Sequence, residues 1–314
     1  MSGIDLGTLA MRRLARERFC QMEMSSECVY CVVSQMDRYY MRFVGDENNR
    51  MSFLRKVCAA IGESKEETHA PVINGALLKL VAQEAGKYDL FEEEKHVYNQ
   101  SILKMEDSIK AHIDAADDKL YRALQYAMLG NYIDFGTSAG VSMEKLNELI
   151  ETAPDIDLGE TYERFRQDIE KARTLAYLFD NCGEVVFDKM CIATIKELYP
   201  SLHIIGVVRG MPAYNDVTME DALEVGLDKL VPIVGNGDDL PGTILSRIAP
   251  EVRELIESAD IVISKGMGNY ETLDKSGLNI YYLLLCKCDR FMKEFGKPRL
   301  ASVFASEKAE KTLE

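Results

Sequence analysis

The sequence predicts an α/β protein with a helical N-terminal region and a Rossmann-like α/β/α core built on a mostly parallel sheet. Up to about residue 170, Leu, Met and Ala recur at three- and four-residue spacing with charged residues between them, which is typical of amphipathic helices. Beyond Lys171, short apolar runs alternate with amphipathic segments, which indicates parallel strands covered by helices on both faces. We therefore divide the chain into a helical region, residues 1–170, and a core, residues 171–314.

Each element follows from a local pattern. The clearest amphipathic segments of the helical region are residues 74–85, 92–115 and 119–129. In the core, apolar runs predict strands at residues 174–179, 203–208, 229–234, 260–264 and 279–286, and an apolar stretch that can add an edge strand at 300–304. Helical periodicity marks the segments between them at residues 185–198, 219–225, 249–258 and 270–273.

The charge balance and the apolar runs argue against two classes of protein. The chain has 37 basic and 52 acidic side chains, a net charge of −15, whereas a nucleic-acid-binding surface would be a basic patch. No apolar run is long enough to cross a bilayer, and residues 1–17 lack the apolar core of a signal peptide. We therefore expect a cytoplasmic enzyme without nucleic-acid or membrane partners and with reduced cysteines. The sequence does not indicate an oligomeric state.

The most informative loop follows the first predicted strand. Asp180 and Asn181 stand at its carboxyl end, followed by Gly183 and Glu184, and this edge of an open α/β sheet is where ligands bind. Carboxylate and amide oxygens suit Mg²⁺ or Mn²⁺ better than Zn²⁺, and Gly183 permits a tight turn into a helix. The alternative is that Asp180 or Asn181 only caps that helix.

A second loop follows the next strand and contains Arg209, Asn215 and Asp216. Asp216 lies 216 − 180 = 36 residues after Asp180, about one strand–helix–strand unit, so both acids can converge at neighbouring strand ends. If Thr218 merely caps the next helix, Arg209 and the Asn-Asp pair have no explanation.

A third loop begins with Lys265 and continues through Gly266 and Gly268. A lysine and several backbone amides at a strand end are the groups that hold a transferring phosphoryl group. The spacing is not that of a Walker loop, and a plain strand-to-helix turn explains the segment equally well in isolation. A fourth loop, residues 234–243, could contact substrate, but its Asp238 and Asp239 are interpreted as residues of an exposed turn.

Taken together, these loops resemble the metal-dependent damage-control phosphatases, long catalogued as a domain of unknown function. The matching motifs occur in the family's order from about residue 28 to residue 304: Cys-x-x-Cys at 28–31, Gly-Asn-x-x-Asp-Phe-Gly at 130–136, Asp-Asn-x-Gly-Glu at 180–184, Pro-x-x-Asn-Asp at 212–216, and Lys-Gly-x-Gly-Asn-x-Glu at 265–271. The chain departs from the family at Cys182, where small residues are common, and at Arg209, where a lysine is expected. Either base can pair with phosphate.

The resemblance implies a helical region packed on a Rossmann-like core and one divalent cation, Mg²⁺, Mn²⁺, Co²⁺ or Ni²⁺. The residues that match the family's ligands are Asp180, Asn181 and Asp216. Family members remove phosphate from small phosphometabolites such as sugar phosphates, often damaged ones. The resemblance therefore predicts a phosphatase in which the metal acts as Lewis acid and template. Attack by water is favoured over attack by a carboxylate, because both acids are committed to the metal.

Further site residues are assigned under this hypothesis. Lys265, with amides near Gly266 and Gly268, would neutralise charge on the transferring phosphoryl group. Glu184 and Glu271 are candidates to orient Lys265 or Arg209. The remaining candidates for contact with substrate or phosphate are Asn131, Asp134, Arg209 and Asn215.

Two other classes of function remain open. One is a methyltransferase that uses S-adenosylmethionine to modify protein carboxylates, a name once proposed for this fold. The first strand lacks the Gly-rich loop that such a cofactor site usually has. The other is a non-catalytic protein that binds phosphorylated metabolites, which three intact loops argue against. Dependence of phosphate release on added metal separates the phosphatase from both.

The Cys28-x-x-Cys31 pair permits three interpretations: packing, a metal site or a redox pair. A zinc site would need two more ligands, and Cys58 and His69 are available but unpaired by spacing. A redox motif would be expected at a helix start after a strand, which this region lacks.

Overall fold

The protein, a computed structural model that describes residues 22–65, 68–132 and 143–307, has the predicted α/β fold class. The helices of the N-terminal part are α1 Ser26–Phe43, α2 Arg50–Gly62, α3 Ala70–Ala85, α4 Glu92–Leu103, α5 Glu106–Asp114, α6 Lys119–Gly130, α7 Met143–Thr152 and α8 Gly159–Ile169. The core continues with β1 Thr174–Leu178, α9 Glu184–Leu198, β2 His203–Val208, α10 Met219–Glu224, β3 Ile233–Gly235, α11 Pro250–Ser258, β4 Ile261–Lys265, α12 Gly266–Leu273, β5 Ile280–Leu285, α13 Asp289–Phe295 and β6 Ser302–Ser306.

The six strands form one sheet in the order β3-β2-β1-β4-β5-β6. All neighbours are parallel except β6, which pairs antiparallel to β5 at the edge. The chain runs outward from β1 in one direction and then in the other, so the strand order reverses between β1 and β4. This switch point opens a crevice at the carboxyl ends of the strands, and the first and third loops leave from its two sides.

Most of the predicted elements are present; three differ clearly in extent, and one core helix was not predicted. The predicted strand 229–234 is a 3₁₀ turn at Leu227–Lys229 followed by the short β3, because Pro232 has no N–H to donate to a ladder. Segment 92–115 divides into α4 and α5, both of which pack on α9. The helix predicted from residue 270 already begins at Gly266. Helix α13 was missed, because seven residues give too short a period to detect.

The sheet lies between two apolar layers, and β1 shows this by alternation. Leu175 and Tyr177 belong to the layer that also contains α9 and the N-terminal helices. Ala176 and Leu178 belong to the opposite layer, with α11, α12 and α13. Strand residues buried on both sides explain why the core strands read as continuous apolar runs.

The N-terminal helices share the first of these layers with the sheet. Tyr126 of α6 stacks on Phe187 of α9 with ring centroids 6.5 Å apart and an interplanar angle of 11°. One hydrophobic cluster therefore extends from α1 to β6. The division into two domains at residue 170 stays a prediction. The shared layer packs the helical region against the sheet. None of the helices in the described ranges has the length and apolar character needed to cross a membrane.

Candidate active site

The three predicted metal ligands lie together at the carboxyl end of β1. Asn181 and Asp216 form an isolated antiparallel bridge, and the Val217 amide donates to the Asp180 carbonyl over 2.8 Å. The Asn181 side chain donates to Asp180 Oδ2 at 2.7 Å. The second loop is thus attached to the first by backbone hydrogen bonds, which explains how side chains 36 residues apart in sequence (216 − 180) become neighbours.

Burial strengthens the electrostatic interactions among these side chains. Asp180 is 9% exposed and Asp216 is 3% exposed. Burial, followed by the neighbouring Asp216 and Glu184 carboxylates, raises the pKa of Asp180 well above its ordinary value. Two buried carboxylates at one site repel each other unless a proton or cations compensate their charge. The oxygen donors and the repulsion between them therefore fit a hard divalent cation.

Arg209 supports this site from the end of β2. Its Nε donates to Asp216 Oδ2 at 2.6 Å, and its Nη1 lies within hydrogen-bond distance of Gly242, Thr243 and Asn269. The remaining nitrogen, Nη2, is buried without a hydrogen-bond partner in the described part of the chain and lies 3.8 Å from Asp180 Oδ1. A buried donor left unsatisfied is unfavourable, so Nη2 is available to an anion that enters beside Asp180.

Lys265 lies behind the predicted metal ligands and is fully buried. Its Nζ contacts three acceptors at 2.6 Å: Glu184 Oε1, Asp188 Oδ1 and the Ala127 carbonyl. Burial acts to lower the pKa of Lys265, but the Asp188 and Glu184 carboxylates overcome it and raise that pKa above its ordinary value. With all three hydrogens directed to protein acceptors, Lys265 compensates buried negative charge at this position.

Glu184 connects this buried lysine to the ligands. Its Oε2 accepts from Asn181 Nδ2 at 2.8 Å and from Asn131 Nδ2 at 3.0 Å. Asn131 also donates to Asp180 Oδ2 at 3.2 Å, while its own Oδ1 accepts from the Leu285 amide at 3.2 Å. The helical region therefore does deliver a predicted residue to the crevice. The other one, Asp134, lies outside the described residues.

Asn215 and Gly266 fix the shape of the site. Asn215 Nδ2 donates to Asn181 Oδ1 at 2.8 Å, which orients that amide. Gly266 has a φ of +77°, and a β-carbon there would lie 1.9 Å from Asp180 Oδ2. Only glycine allows both this backbone conformation and this approach.

Gly268 and the fourth loop have structural functions that the sequence did not reveal. A β-carbon at Gly268 would lie 2.0 Å from the Pro241 carbonyl oxygen, so this glycine lets α12 pack closely on residues 234–243. The interpretation of Asp238 as an exposed turn residue was wrong. It is 6% exposed and accepts two hydrogen bonds from Arg247, at 3.0 and 2.9 Å, because the loop folds back to bring Gly242 and Thr243 to Arg209.

Glu271 points away from the crevice. Its carboxylate interacts electrostatically with Arg290, whereas Lys265 and Arg209 make their contacts elsewhere. Two residues along a helix differ by about 200° in direction, so Asn269, which faces Arg209, and Glu271 lie on opposite sides of α12. The predicted contact of Glu271 with Lys265 or Arg209 is not present in this structure.

Two functional positions were missed in the sequence. Asp188 accepts hydrogen bonds from Lys265 Nζ and, at 2.6 Å, from the Tyr177 hydroxyl. Asp188 lies four residues after Glu184, which places both acids on one helical face, and this spacing could have indicated its role. Asn269 accepts from Arg209 Nη1 at 3.1 Å and donates to the Phe179 carbonyl at 3.2 Å. It stands inside the third motif, but nothing in its local pattern marks it as a link between strands.

Comparison with known proteins identifies the family of this chain. The family model described as the damage-control phosphatase ARMT1-like domain matches residues 24–303. A damage-control phosphatase of Pyrococcus horikoshii is 31% identical over 286 residues, covering 90% of this chain and 97% of its own. A damage-control phosphatase of Archaeoglobus fulgidus is 28% identical, covering 88% and 96%.

A solved structure gives the same result in three dimensions. The crystal structure of a DUF89 family protein from Pyrococcus horikoshii superposes with a TM-score of 0.80 at 28% identity, covering 91% of this chain and 99% of that one. The predicted resemblance is therefore confirmed. The chain belongs to the damage-control phosphatase ARMT1-like family.

Proposed function

We propose that this protein is a metal-dependent phosphatase that hydrolyses phosphomonoesters of small, often damaged, metabolites. The observation that carries the proposal is the meeting of Asp180, Asn181 and Asp216 beside the unsatisfied Nη2 of Arg209. Relatives that match nearly the whole chain bear the name damage-control phosphatase. The methyltransferase and the non-catalytic binding protein have no comparable support.

The cation would be held by Asp180, Asn181 and Asp216, whose oxygens are the donors that Mg²⁺, Mn²⁺, Co²⁺ or Ni²⁺ accept. When bound, it would supply Lewis-acid polarisation of the phosphate and offset the charge of two buried carboxylates. The choice among these ions is part of the proposal. The hydrogen bond from Asn215 to Asn181 and the one from Arg209 to Asp216 would keep two of these ligands in place.

Arg209 would bind the phosphate directly. Its Nε and Nη1 are already fixed by protein acceptors, so Nη2 is held in position without losing side-chain freedom at the moment of binding. An anion that enters next to Asp180 satisfies the buried donor and gains a charge-assisted hydrogen bond. This preorganisation favours the transition state, in which negative charge develops on the phosphoryl oxygens.

Lys265 would act at a distance. Its contacts with Glu184 and Asp188 keep a positive charge immediately behind Asn181 and Asn131, where it offsets the negative charge of the site. Asn131 would hold the Asp180 carboxylate, and Asp134 is proposed as a substrate contact from the resemblance alone. In the reaction itself, water attacks phosphorus, the bond from phosphorus to the ester oxygen breaks, and the leaving alcohol takes up a proton.

The test is release of phosphate from p-nitrophenyl phosphate and from a panel of sugar phosphates. The protein is treated with a chelator, and Mg²⁺, Mn²⁺, Co²⁺ or Ni²⁺ is then added back singly. We expect metal-dependent release by the wild type and its loss in Asp180→Ala and Asp216→Asn. The matched control is Asp260→Asn. Asp260 accepts hydrogen bonds from backbone amides at the start of β1, at the end of the strands opposite to the site, so this variant should keep activity.

The alternatives give different results in the same samples. Tight binding of phosphorylated compounds without release under any metal would support the binding protein. Transfer of a methyl group from S-adenosylmethionine to protein carboxylates, independent of divalent metal, would support the methyltransferase. Either result overturns the proposal that the protein is a phosphatase, provided that circular dichroism shows the protein to be folded.

A further inference from the structure

The two cysteines of the N-terminal motif lie on a helix end that faces a third cysteine. Cys28 and Cys31 lie three residues apart near the start of α1, on one helical face. Arg290 Nη1 lies 3.8 Å from Cys28 Sγ, and Cys288 stands two residues before this arginine, at the start of α13. Lys293 of the same helix pairs with Glu27 at 2.9 Å. The starts of α1 and α13 therefore face each other, which places the thiols of residues 28, 31 and 288 on two facing helix ends.

A buried carboxylate belongs to the same group. Glu271 is 9% exposed, and its backbone carbonyl accepts from the Met22 amide just before α1 at 3.1 Å. In the ranges that the structure describes, no hydrogen bond reaches its carboxylate. Both Cys31 and Cys288 interact electrostatically with Glu271. We call Cys28, Cys31, Cys288 and Glu271 the thiol cluster.

Three ionisable groups of the thiol cluster have raised pKa values, although Arg290 lies beside the fourth, Cys28. Desolvation, then Cys28 and Glu271, raise the pKa of Cys31, and burial, then Glu271 and Cys28, raise that of Cys288. Burial likewise raises the pKa of Glu271 to about 7, with Arg290 opposing it. Raised thiol pKa values disfavour a reactive dithiol, because the thiolate is the nucleophile.

We propose that Cys28, Cys31, Cys288 and Glu271 form a second metal site, for a borderline-soft divalent ion of the Zn²⁺ type, separate from the phosphatase crevice. Three sulfur donors and one carboxylate oxygen complete a tetrahedral set of the kind that Zn²⁺ prefers and Mg²⁺ does not. The fold supplies the two ligands that the sequence motif lacked, from α12 and from the start of α13. Each thiol releases its proton to water as its sulfur binds the ion.

Closing the site requires side-chain rotation. Among residues 22–65, 68–132 and 143–307, no three His, Cys, Asp or Glu side chains already form a coordination sphere. Cys31 is exposed and Cys28 is half-buried, so an ion can enter from solvent and turn both side chains inward. Binding would fasten α1 to α12, the helix whose opposite side carries Asn269 against Arg209.

The test uses the full chain with Co²⁺ as a spectroscopic substitute for Zn²⁺, under reducing conditions and in an Asp180→Ala background that disables the crevice. We expect one tightly bound ion per chain with the absorption of thiolate-to-cobalt charge transfer. Cys288→Ser should weaken Zn²⁺ binding by at least about tenfold. Cys58→Ser, at an exposed cysteine of α2, should leave it unchanged. Binding without charge transfer, or equal affinity in Cys288→Ser, overturns the proposal.

Alkylation of the wild type provides a second measurement that needs no variant. Iodoacetamide is added with and without Zn²⁺, and labelled cysteines are identified by peptide mass spectrometry. Zn²⁺ should protect Cys28, Cys31 and Cys288 but not Cys58. Equal labelling of all four with and without Zn²⁺ excludes the site. Neither readout depends on phosphatase activity, so failure of this inference and failure of the proposed function are distinguishable.

Discussion

Gly266 and the Asp180 carboxylate are so close that a β-carbon on the glycine would lie 1.9 Å from Oδ2. The third loop thus forms the wall against which the first loop's acid is placed. Its backbone also has a φ of +77°, which side chains disfavour by about 1–2 kcal/mol. A methyl group at this position would both strain the turn and displace Asp180.

Gly266→Ala should therefore abolish most phosphate release while destabilising the fold only moderately. The matched control is Gly86→Ala, since Gly86 at the end of α3 has a φ of +65° but no atom within 4 Å of the position that a β-carbon would take. The control should lose about 1–2 kcal/mol of unfolding free energy and keep activity. Steady-state kinetics and urea unfolding measure both quantities. Equal activity losses in the two variants would mean that backbone strain alone lowers activity and that the contact with Asp180 has no part in it.

Arg209→Lys should lower kcat/KM by about 10²–10³-fold, the cost of removing a positioned transition-state donor. A lysine presents a single nitrogen and cannot reproduce the planar fork in which separate nitrogens bind Asp216, Gly242 and an incoming phosphate. Arg247→Lys is the control, because Arg247 pairs with Asp238 and is 43% exposed in its side chain. Phosphate-release kinetics across substrate concentrations give the comparison. Wild-type kcat/KM in Arg209→Lys would contradict a direct contact with phosphate.

Lys265→Met should destabilise the protein by about 3–5 kcal/mol, because it leaves Glu184 and Asp188 buried without their cation. Lys110→Met removes an exposed i,i+4 pair with Asp114 and should cost less than about 1 kcal/mol. Denaturant unfolding measures both. In the double variant Lys265→Met/Asp188→Asn, part of the lost stability should return. No recovery there would argue against charge as the cause.

The loss of unfolding free energy in Lys265→Met should also depend on pH. Burial raises the pKa of Asp188 to about 7 even with Lys265 opposing it, and removing the lysine raises it further. A carboxyl with a raised folded-state pKa binds its proton more tightly when folded, so the penalty is full above that pKa and declines as pH falls towards the unfolded value near 4. Denaturant unfolding of the variant and the wild type at about pH 8 and about pH 5 should show the smaller loss of unfolding free energy at the lower pH. A deficit that is equal at both pH values would contradict this account.

Lys95→Met should loosen the support of the second loop. Lys95 of α4 is 4% exposed in its side chain and pairs with Asp89 at 2.8 Å and Asp221 at 2.9 Å. Asp221 also closes the capping box with Thr218, just after Asp216. We expect a loss of about 3–5 kcal/mol in unfolding free energy and a raised KM, measured by unfolding and kinetics. Unchanged values of both would show that the pair has no bearing on the loop.

The sequence alone determined the class of fold and the location of the candidate site. Apolar runs and helical periods are local properties of the chain, so they predicted most strands and the change of pattern near residue 170. Asp180, Asn181 and Asp216 could be predicted to converge because parallel strands end at one edge of a sheet. Failures were local as well: β3 is too short, and α13 spans too few residues, for a period to be recognised.

Only the tertiary structure decided which groups face each other across elements. Three relationships depend on the rotation of helices about their axes. Glu184 and Asp188 enclose Lys265, Glu271 points away from the crevice, and Arg290 reaches Cys28. Such rotation is set by packing against the sheet, which involves residues far apart in the chain. Spacing along the sequence names the candidates, whereas burial and contact distance determine what each one can do.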